Sequence, residues 1–343
     1  MTRRAAPTLL ALTGCRADDL QALLERRARA LDAPAASLTV IASGEVIFEG
    51  ATGTLALDGG TLATVDTRYR LGSLTKPYTA ALVMLLDQDG VWSVDDPIGA
   101  WVDGVPNGGV ITLRHLLAHT SGLSDYADLD AYWAEADRPW SVDELLALTY
   151  ADGVTSAPGA VWRYSNAGYL LLGRATERAT GQAWEDLVYE RLIVPLDLTR
   201  TTVGGGDRAR GYETDEVTGV LRDCTDHPHS DNSWAAGAIV STATDVARFG
   251  DALLAGGLLD DTHRAWMTER VHADGGAVRY GLGVGIDPWD EGWSIGHQGK
   301  SPGYASSWSR RPEVDLTIAV TLSTSDVGGR TIEDDAWRWL GAD

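Results

Sequence analysis

The chain has 343 residues, 44% of them hydrophobic and 22% charged, which suits about two packed domains and excludes a stapled miniprotein or a disordered chain. Its 28 Lys and Arg stand against 49 Asp and Glu, a net charge of −21; counterion release needs a basic surface, so this argues against nucleic acid as partner, and anionic membranes are disfavoured for the same reason. Apolar runs such as Ala80 to Leu86 fall far short of the roughly 18 residues of a membrane span, and Cys15 and Cys224 form neither a disulfide framework nor a clustered zinc site.

At the N-terminus, Arg3 and Arg4 precede a short apolar stretch, and Leu12-Thr13-Gly14-Cys15 looks like a bacterial lipoprotein cleavage box. Pro7 interrupts that stretch and a helical pattern starts at Asp18 without a spacer. The expected location is therefore cytoplasmic, with export as a lipoprotein through Cys15 as the alternative. From Asp18 to Leu31 the leucines at 20, 23, 24 and 31 share one face, which predicts an amphipathic helix. Leu38 to Ala42 and Val46 to Glu49, separated by Ser43-Gly44-Glu45, predict a hairpin. A helix follows from about Ser73 to Asp89, with Pro77 tolerated in its first turn and Gly90 as its stop.

Between residues 91 and 235 the pattern is helical, including Leu113 to Ala118, Val142 to Leu148 and Tyr169 to Ala179, with no strand pair evident. Strand character returns at Trp293 to Gly296, Tyr304 to Arg310 and Leu316 to Ser323, before a last helix at Ile332 to Leu340. Strands at both ends around a helical middle predict one sheet built from both termini with a mainly helical insertion.

Three short segments have residue types that suit nucleophilic chemistry. In Ser73-Leu74-Thr75-Lys76 the serine and lysine are three apart at a helix start, so the amine lies within reach of the hydroxyl. A serine is a weak nucleophile until something takes its proton, and a partly buried lysine can do so. Lys76 and Lys300 are the only lysines in the chain, so neither reflects a lysine-rich background. Tyr164-Ser165-Asn166 ends a loop bounded by Pro158-Gly159; tyrosine relays a proton, and asparagine offers a donor and an acceptor. His297-Gln298-Gly299 leads with Lys300 out of a predicted strand, where the glycine permits close approach and the next backbone N–H faces a reacting carbonyl.

In this order, with His115-Leu116-Leu117-Ala118-His119-Thr120-Ser121-Gly122-Leu123 and Ala236-Gly237-Ala238 between them, these segments resemble the serine β-lactamase-like hydrolases. That group includes class C β-lactamases, D-alanyl-D-alanine carboxypeptidases and family VIII carboxylesterases, and the resemblance runs from about residue 35 to 325. It implies an α/β (α+β) fold of β-lactamase/transpeptidase-like type, with a mainly antiparallel sheet flanked by helices. Residues 1–72 and 236–343 would form the sheet-and-helix domain, and 73–235 the mainly helical inserted domain. It implies Ser73 as nucleophile, Lys76 as its partner, Tyr164 as proton acceptor and donor, and Asn166 as an orienting residue. The backbone N–H groups of Ser73 and Lys300 would form the oxyanion hole, with His297, Gln298 and Gly299 beside the substrate.

One departure bears on substrate. Lactamases and peptidases of this group usually carry a hydroxyl, as Lys-Thr-Gly or His-Thr-Gly, where this chain has Gln298. Without the hydroxyl that helps bind a substrate carboxylate, the expectation is a hydrolase of small esters or amides. A D-alanyl-D-alanine carboxypeptidase or β-lactamase is the alternative, and an inactive scaffold of the same fold the second alternative. Gly299-Lys300-Ser301-Pro302-Gly303 fits a nucleophile elbow, but no histidine follows Ser301 to complete that triad. His115 and His119 enclose Leu-Leu-Ala rather than a glutamate base, and His227-Pro228-His229 is no better placed. The expected partner is a small ester, amide or D-amino-acid peptide, with no cofactor and no metal.

Overall fold

The computed structural model describes residues 15–135, 138–228 and 233–341. Leu12, Thr13 and Gly14 of the lipoprotein-like box, and His229, lie outside the described residues. The main strands are β1 (Ala35–Ala42), β2 (Glu45–Gly53), β3 (Gly285–Trp289), β4 (Gly292–Ser301), β5 (Tyr304–Arg311) and β6 (Leu316–Leu322). They form one sheet in the order β3-β4-β5-β6-β1-β2, with every neighbouring pair antiparallel. The surrounding helices include α1 (Cys15–Ala30), α2 (Lys76–Gln88), α3 (Leu113–Leu117), α4 (Asn166–Thr180), α5 (Ala243–Ala255), α6 (Asp261–Thr268) and α7 (Arg330–Leu340).

The sheet is covered on both faces, which explains why β1 is buried at every position instead of alternating. On one face Leu20, Leu23 and Leu24 of α1 and Trp337 of α7 pack with Leu38, Val40 and Ile318. On the other, α5 brings Phe249 against Trp308, and its Thr244 hydroxyl bonds that of Thr39 at 3.0 Å. Each leucine buried this way contributes about 1.5–3 kcal/mol of transfer free energy. Beyond the sheet, α2 is buried along nearly its whole length, with α4 packed against it. An apolar, fully enclosed helix is a rigid place from which to present a side chain.

Several predicted elements differ in detail. The β1–β2 hairpin turns on Ser43-Gly44 alone, both at positive φ (49° and 81°), the two-residue geometry that matches strand twist. Ser73 lies in a 3₁₀ turn, Gly72–Thr75, that leads into α2 rather than in the α-helix itself. Asn166 opens α4, and its neighbour Ser165 is the cap, accepting from the Gly168 N–H at 3.1 Å. The middle of the chain does contain strands. Tyr212–Thr214 pairs with Leu221–Asp223, and Thr202–Val203 joins Ile239–Ser241 and Tyr69–Arg70 in a small sheet. These strands are two or three residues long, too short for a period-two pattern to stand out. Strand β4 also runs on to Ser301, because β5 pairs with it through the glycines that interrupt its strand propensity.

A titratable staple joins the end of α2 to α6. His263 Nε2 lies 2.9 Å from Asp87 Oδ1 and its Nδ1 2.7 Å from Asp260 Oδ1. Burial alone lowers the His263 pKa, but the hydrogen bonds and charges of Asp87 and Asp260 outweigh it and the net direction is up. A pKa raised in the folded state gives stabilisation that is complete below the unfolded value of about 6.5 and is lost as pH rises through the folded value. The stability difference between the native chain and His263→Gln is therefore expected to be largest near pH 6, on the order of 1 kcal/mol. It should shrink toward pH 9 in urea unfolding. A difference that grows with pH would contradict the staple.

Candidate active site

The short sheet holds the approach to Ser73, with the Leu71 N–H bonded to the Ile239 carbonyl at 2.9 Å. Gly72 then turns the chain at φ 54°, and its α-carbon abuts the backbone of β4: a Cβ there would fall 2.3 Å from Lys300 O and 2.9 Å from Lys300 N. Gly299 is under the same constraint, since a Cβ would meet the Leu71 carbonyl oxygen at 1.8 Å. Both positions are closed to any side chain, which places the Lys300 backbone beside the Ser73 turn.

Lys76 is wholly buried. Its Nζ has three partners: Asn166 Oδ1 at 2.8 Å, the Ala236 carbonyl oxygen at 3.1 Å and Ser73 Oγ at 3.2 Å. The amide oxygen and the carbonyl only accept. A neutral amine therefore spends both its N–H bonds on them and turns its lone pair toward the Ser73 hydroxyl. Burial pushes the Lys76 pKa down to about 7, the charge of Asp125 opposing it. A neutral amine is thus well populated near neutral pH.

Tyr164 lines the same cavity as Ser73, and its ring centroid lies 4.7 Å from Lys76 Nζ. Burial raises the Tyr164 pKa well above that of a free phenol, with the nearby Ser73 hydroxyl only partly offsetting it, so this tyrosine carries its proton at neutral pH. Buried Asp125 accepts from the N–H groups of Ala127 at 2.9 Å and Ala167 at 3.0 Å, fixing the start of α4 and thus Asn166.

On the opposite wall, β4 continues past its partner β3, whose first residue Gly285 pairs with Gly296. His297 to Ser301 therefore have β5 on one side and, on the other, the edge that borders the cleft. Gln298 and Lys300 side chains are exposed, while the His297 ring is turned inward. A cavity of about 440 Å³ opens here, lined by Ser73, Tyr164, Tyr280, His297, Gln298 and Lys300 among others. The structure thus brings Ser73, Lys76, Tyr164, Asn166 and the 297–300 edge together.

It also adds residues that the motif reading left without a role. His119 stacks on Tyr164 with ring centroids 4.3 Å apart, Tyr280 contacts both His119 and His297, and Asp125 and the Ala236 carbonyl steady Asn166 and Lys76. The His-Thr-Ser-Gly segment marked His119, whereas Tyr280 stands in no motif. His115 and His119 do not share a helix face. His115 joins the capping box of α3 through Thr112, and His119 lies past its end at φ 58°. Among the described residues no group of three or more His, Cys, Asp or Glu is placed to hold a metal ion, and no helix is long and apolar enough to cross a membrane.

The antiparallel sheet with helices on both faces, and the serine and buried lysine at a helix start, define an α+β protein of β-lactamase/transpeptidase-like fold. The chain belongs to the β-lactamase family, whose model matches residues 20–343. Penicillin-binding protein 4* of Bacillus subtilis (strain 168) is 27% identical over 297 residues, 79% of this chain and 64% of that protein. Esterase EstB of Burkholderia gladioli is 33% identical over 196 residues, 52% of this chain and 48% of its own length. The chain thus spans less than two thirds of either curated relative. Among solved structures, D-amino acid amidase from Ochrobactrum anthropi SV3, complexed with L-phenylalanine amide, superposes with a TM-score of 0.83. It is 27% identical, over 95% of this chain and 97% of that one.

Proposed function

We propose that this chain is a serine hydrolase of small carboxylic esters or amides that works through an acyl-serine at Ser73. The observation that carries this reading is the buried Lys76 Nζ, 3.2 Å from Ser73 Oγ, with two obligate acceptors orienting its lone pair. Lys76 takes the Ser73 proton as Oγ bonds the substrate carbonyl carbon, and the carbonyl electron pair moves to oxygen. The backbone N–H groups of Ser73 and Lys300 meet that oxyanion, a reading supported by the close approach of Gly72 to the Lys300 backbone. Tyr164, protonated and facing the same cavity as Ser73, gives its proton to the leaving alkoxide or amine as the carbon–heteroatom bond breaks, and is reprotonated from Lys76. Water then adds to the acyl carbon by the reverse sequence and releases the acid, restoring Ser73.

The esterase among the relatives and the amidase among the structural neighbours support an ester or amide substrate. Gln298 turns the choice away from β-lactams and D-alanyl peptides: it stands exposed on the cleft edge where a carboxylate-binding hydroxyl is usual. A substrate carboxylate desolvated there without a matched donor costs free energy. Short-chain p-nitrophenyl esters are therefore expected to be cleaved readily, and penicillins, cephalosporins and D-Ala-D-Ala peptides slowly. Gln298→Thr should move the ratio of kcat/KM for a penicillin to that for the ester upward by about tenfold, the value of one good polar contact. Efficient wild-type cleavage of D-Ala-D-Ala peptides with poor esterase activity would transfer the assignment to the carboxypeptidase reading.

A further inference from the structure

Two imidazoles and a phenol beside the proposed nucleophile form a chain whose direction is set at both ends by backbone groups. The Ser165 N–H donates to His119 Nδ1 at 3.0 Å. A neutral imidazole that accepts at Nδ1 carries its proton on Nε2, and His119 Nε2 lies 3.2 Å from the Tyr280 hydroxyl. At the far end the Gln298 carbonyl can only accept, so His297 Nδ1, 2.6 Å away, is the donor. This leaves His297 Nε2 as an acceptor 3.0 Å from the Tyr280 hydroxyl. Tyr280 thus receives from His119 and gives to His297. Tyr169, whose hydroxyl neighbours that of Tyr280, donates its own proton to the Leu117 carbonyl at 3.0 Å, so toward Tyr280 it can only accept, and its phenol oxygen is a weaker acceptor than the His297 imidazole nitrogen.

Neutral rings fit their surroundings. Burial, then the nearby Lys76, lowers the His119 pKa well below that of a free histidine, with His297 adding to the effect. For His297 the same two causes, with the Gln298 carbonyl opposing, bring it to about 3. Tyr164, Tyr169, Tyr280 and Trp162 place their rings around His119.

We propose that Tyr280 is a positioning residue of this site: its hydroxyl ties His119 and His297 into one directed chain that holds Tyr164 and the 297–300 strand edge around Ser73. Each end of the chain reaches one half of the site. Ser165, which donates to His119, sits between Tyr164 and Asn166 and caps α4, and the His119 ring backs Tyr164. His297 opens the stretch of β4 whose backbone borders the Ser73 turn. Tyr280 therefore couples the groups that move protons to the groups that would hold the oxyanion, without touching the reacting atoms. The inference rests on the acyl-serine reading, and its test is separable from it.

Histidine-¹⁵N-labelled native enzyme at about pH 7 should show His119 as the Nε2–H tautomer and His297 as the Nδ1–H tautomer in long-range ¹H–¹⁵N spectra, neither titrating between about pH 5.5 and 8.5. Tyr280→Phe keeps the ring and removes the hydroxyl, leaving two buried imidazole nitrogens without their partner. It is expected to lower kcat on p-nitrophenyl butyrate by about 10- to 100-fold, the scale of a small misplacement, with KM changed by less than about threefold. The His297 Nε2 signal should shift, having lost its donor, while the Nδ1–H tautomer held by the Gln298 carbonyl is kept. A fluorophosphonate should still label Ser73 in this variant, more slowly. Opposite tautomers, an imidazole titrating near its ordinary value in the native enzyme, or wild-type kcat in a folded Tyr280→Phe would each overturn the proposal. The native spectrum decides the matter if the variant fails to fold. Absence of any Ser73 adduct in the native enzyme would instead remove the underlying acyl-serine reading.

Discussion

Ser73→Ala is expected to reduce kcat on a p-nitrophenyl ester by about 10³-fold or more, while Ser301→Ala keeps most of the activity. The two serines offer a clean contrast. Ser73 faces the lone pair of Lys76 and shares its cavity with Tyr164. Ser301 ends β4, and its buried hydroxyl has no hydrogen-bond partner and therefore no base. Without a group to take its proton, a serine hydroxyl at neutral pH is a poor nucleophile. The reverse ranking would move the nucleophile to the elbow-like Gly299 to Gly303 segment and dissolve the assignment of Lys76 and Tyr164 along with it.

The second large effect is a coupling. Lys76→Ala and Tyr164→Phe should each cost nearly as much as Ser73→Ala, and the double variant little more than either, because residues acting as one unit are strongly non-additive. In the native enzyme kcat/KM for a neutral ester should rise with pH through a limb near 7, where Lys76 gives up its proton. The sign follows from burial, which disfavours the charged amine, so the active neutral form lies on the alkaline side. Additive losses, or a rate that falls as pH rises through 7, would show that Lys76 does not act on Ser73.

Much of this site was legible as spacing. Ser73 and Lys76 are three residues apart, and that separation survives although the first of them lies in a 3₁₀ turn rather than in the α-helix. Tyr164 and Asn166 were visible because a Pro-Gly loop meets a helix there, and Gly299 because it follows His297-Gln298 out of a predicted strand, its approach to Leu71 showing only in the fold. Tyr280 was not legible. It lies in an irregular stretch before β3, and its partners His119 and His297 are 161 and 17 residues away, so no local pattern carries the contact. The fold divided in the same way. The helices α1 and α7 follow the 3.6-residue period and α2 is marked by Pro77 and Gly90, whereas β3 holds Gly285, Asp287 and Pro288, residues that strands avoid and that only pairing with β4 makes extended.

The carboxylate of Asp125 shows a further limit of reading along the chain. Its value lies in reaching the Ala167 N–H, 42 residues away, and so holding Asn166 against Lys76. Periodicity would assign an aspartate before a short turn to a local cap, which it also is through Ala127. Tertiary packing gives the same side chain its second task.

The most direct test is mass spectrometry of the intact protein after incubation with a fluorophosphonate, followed by mapping of the modified peptide. One adduct per chain is expected, on Ser73, abolished in Ser73→Ala and retained in Ser301→Ala. An adduct on another serine, or none on a folded chain, would contradict it.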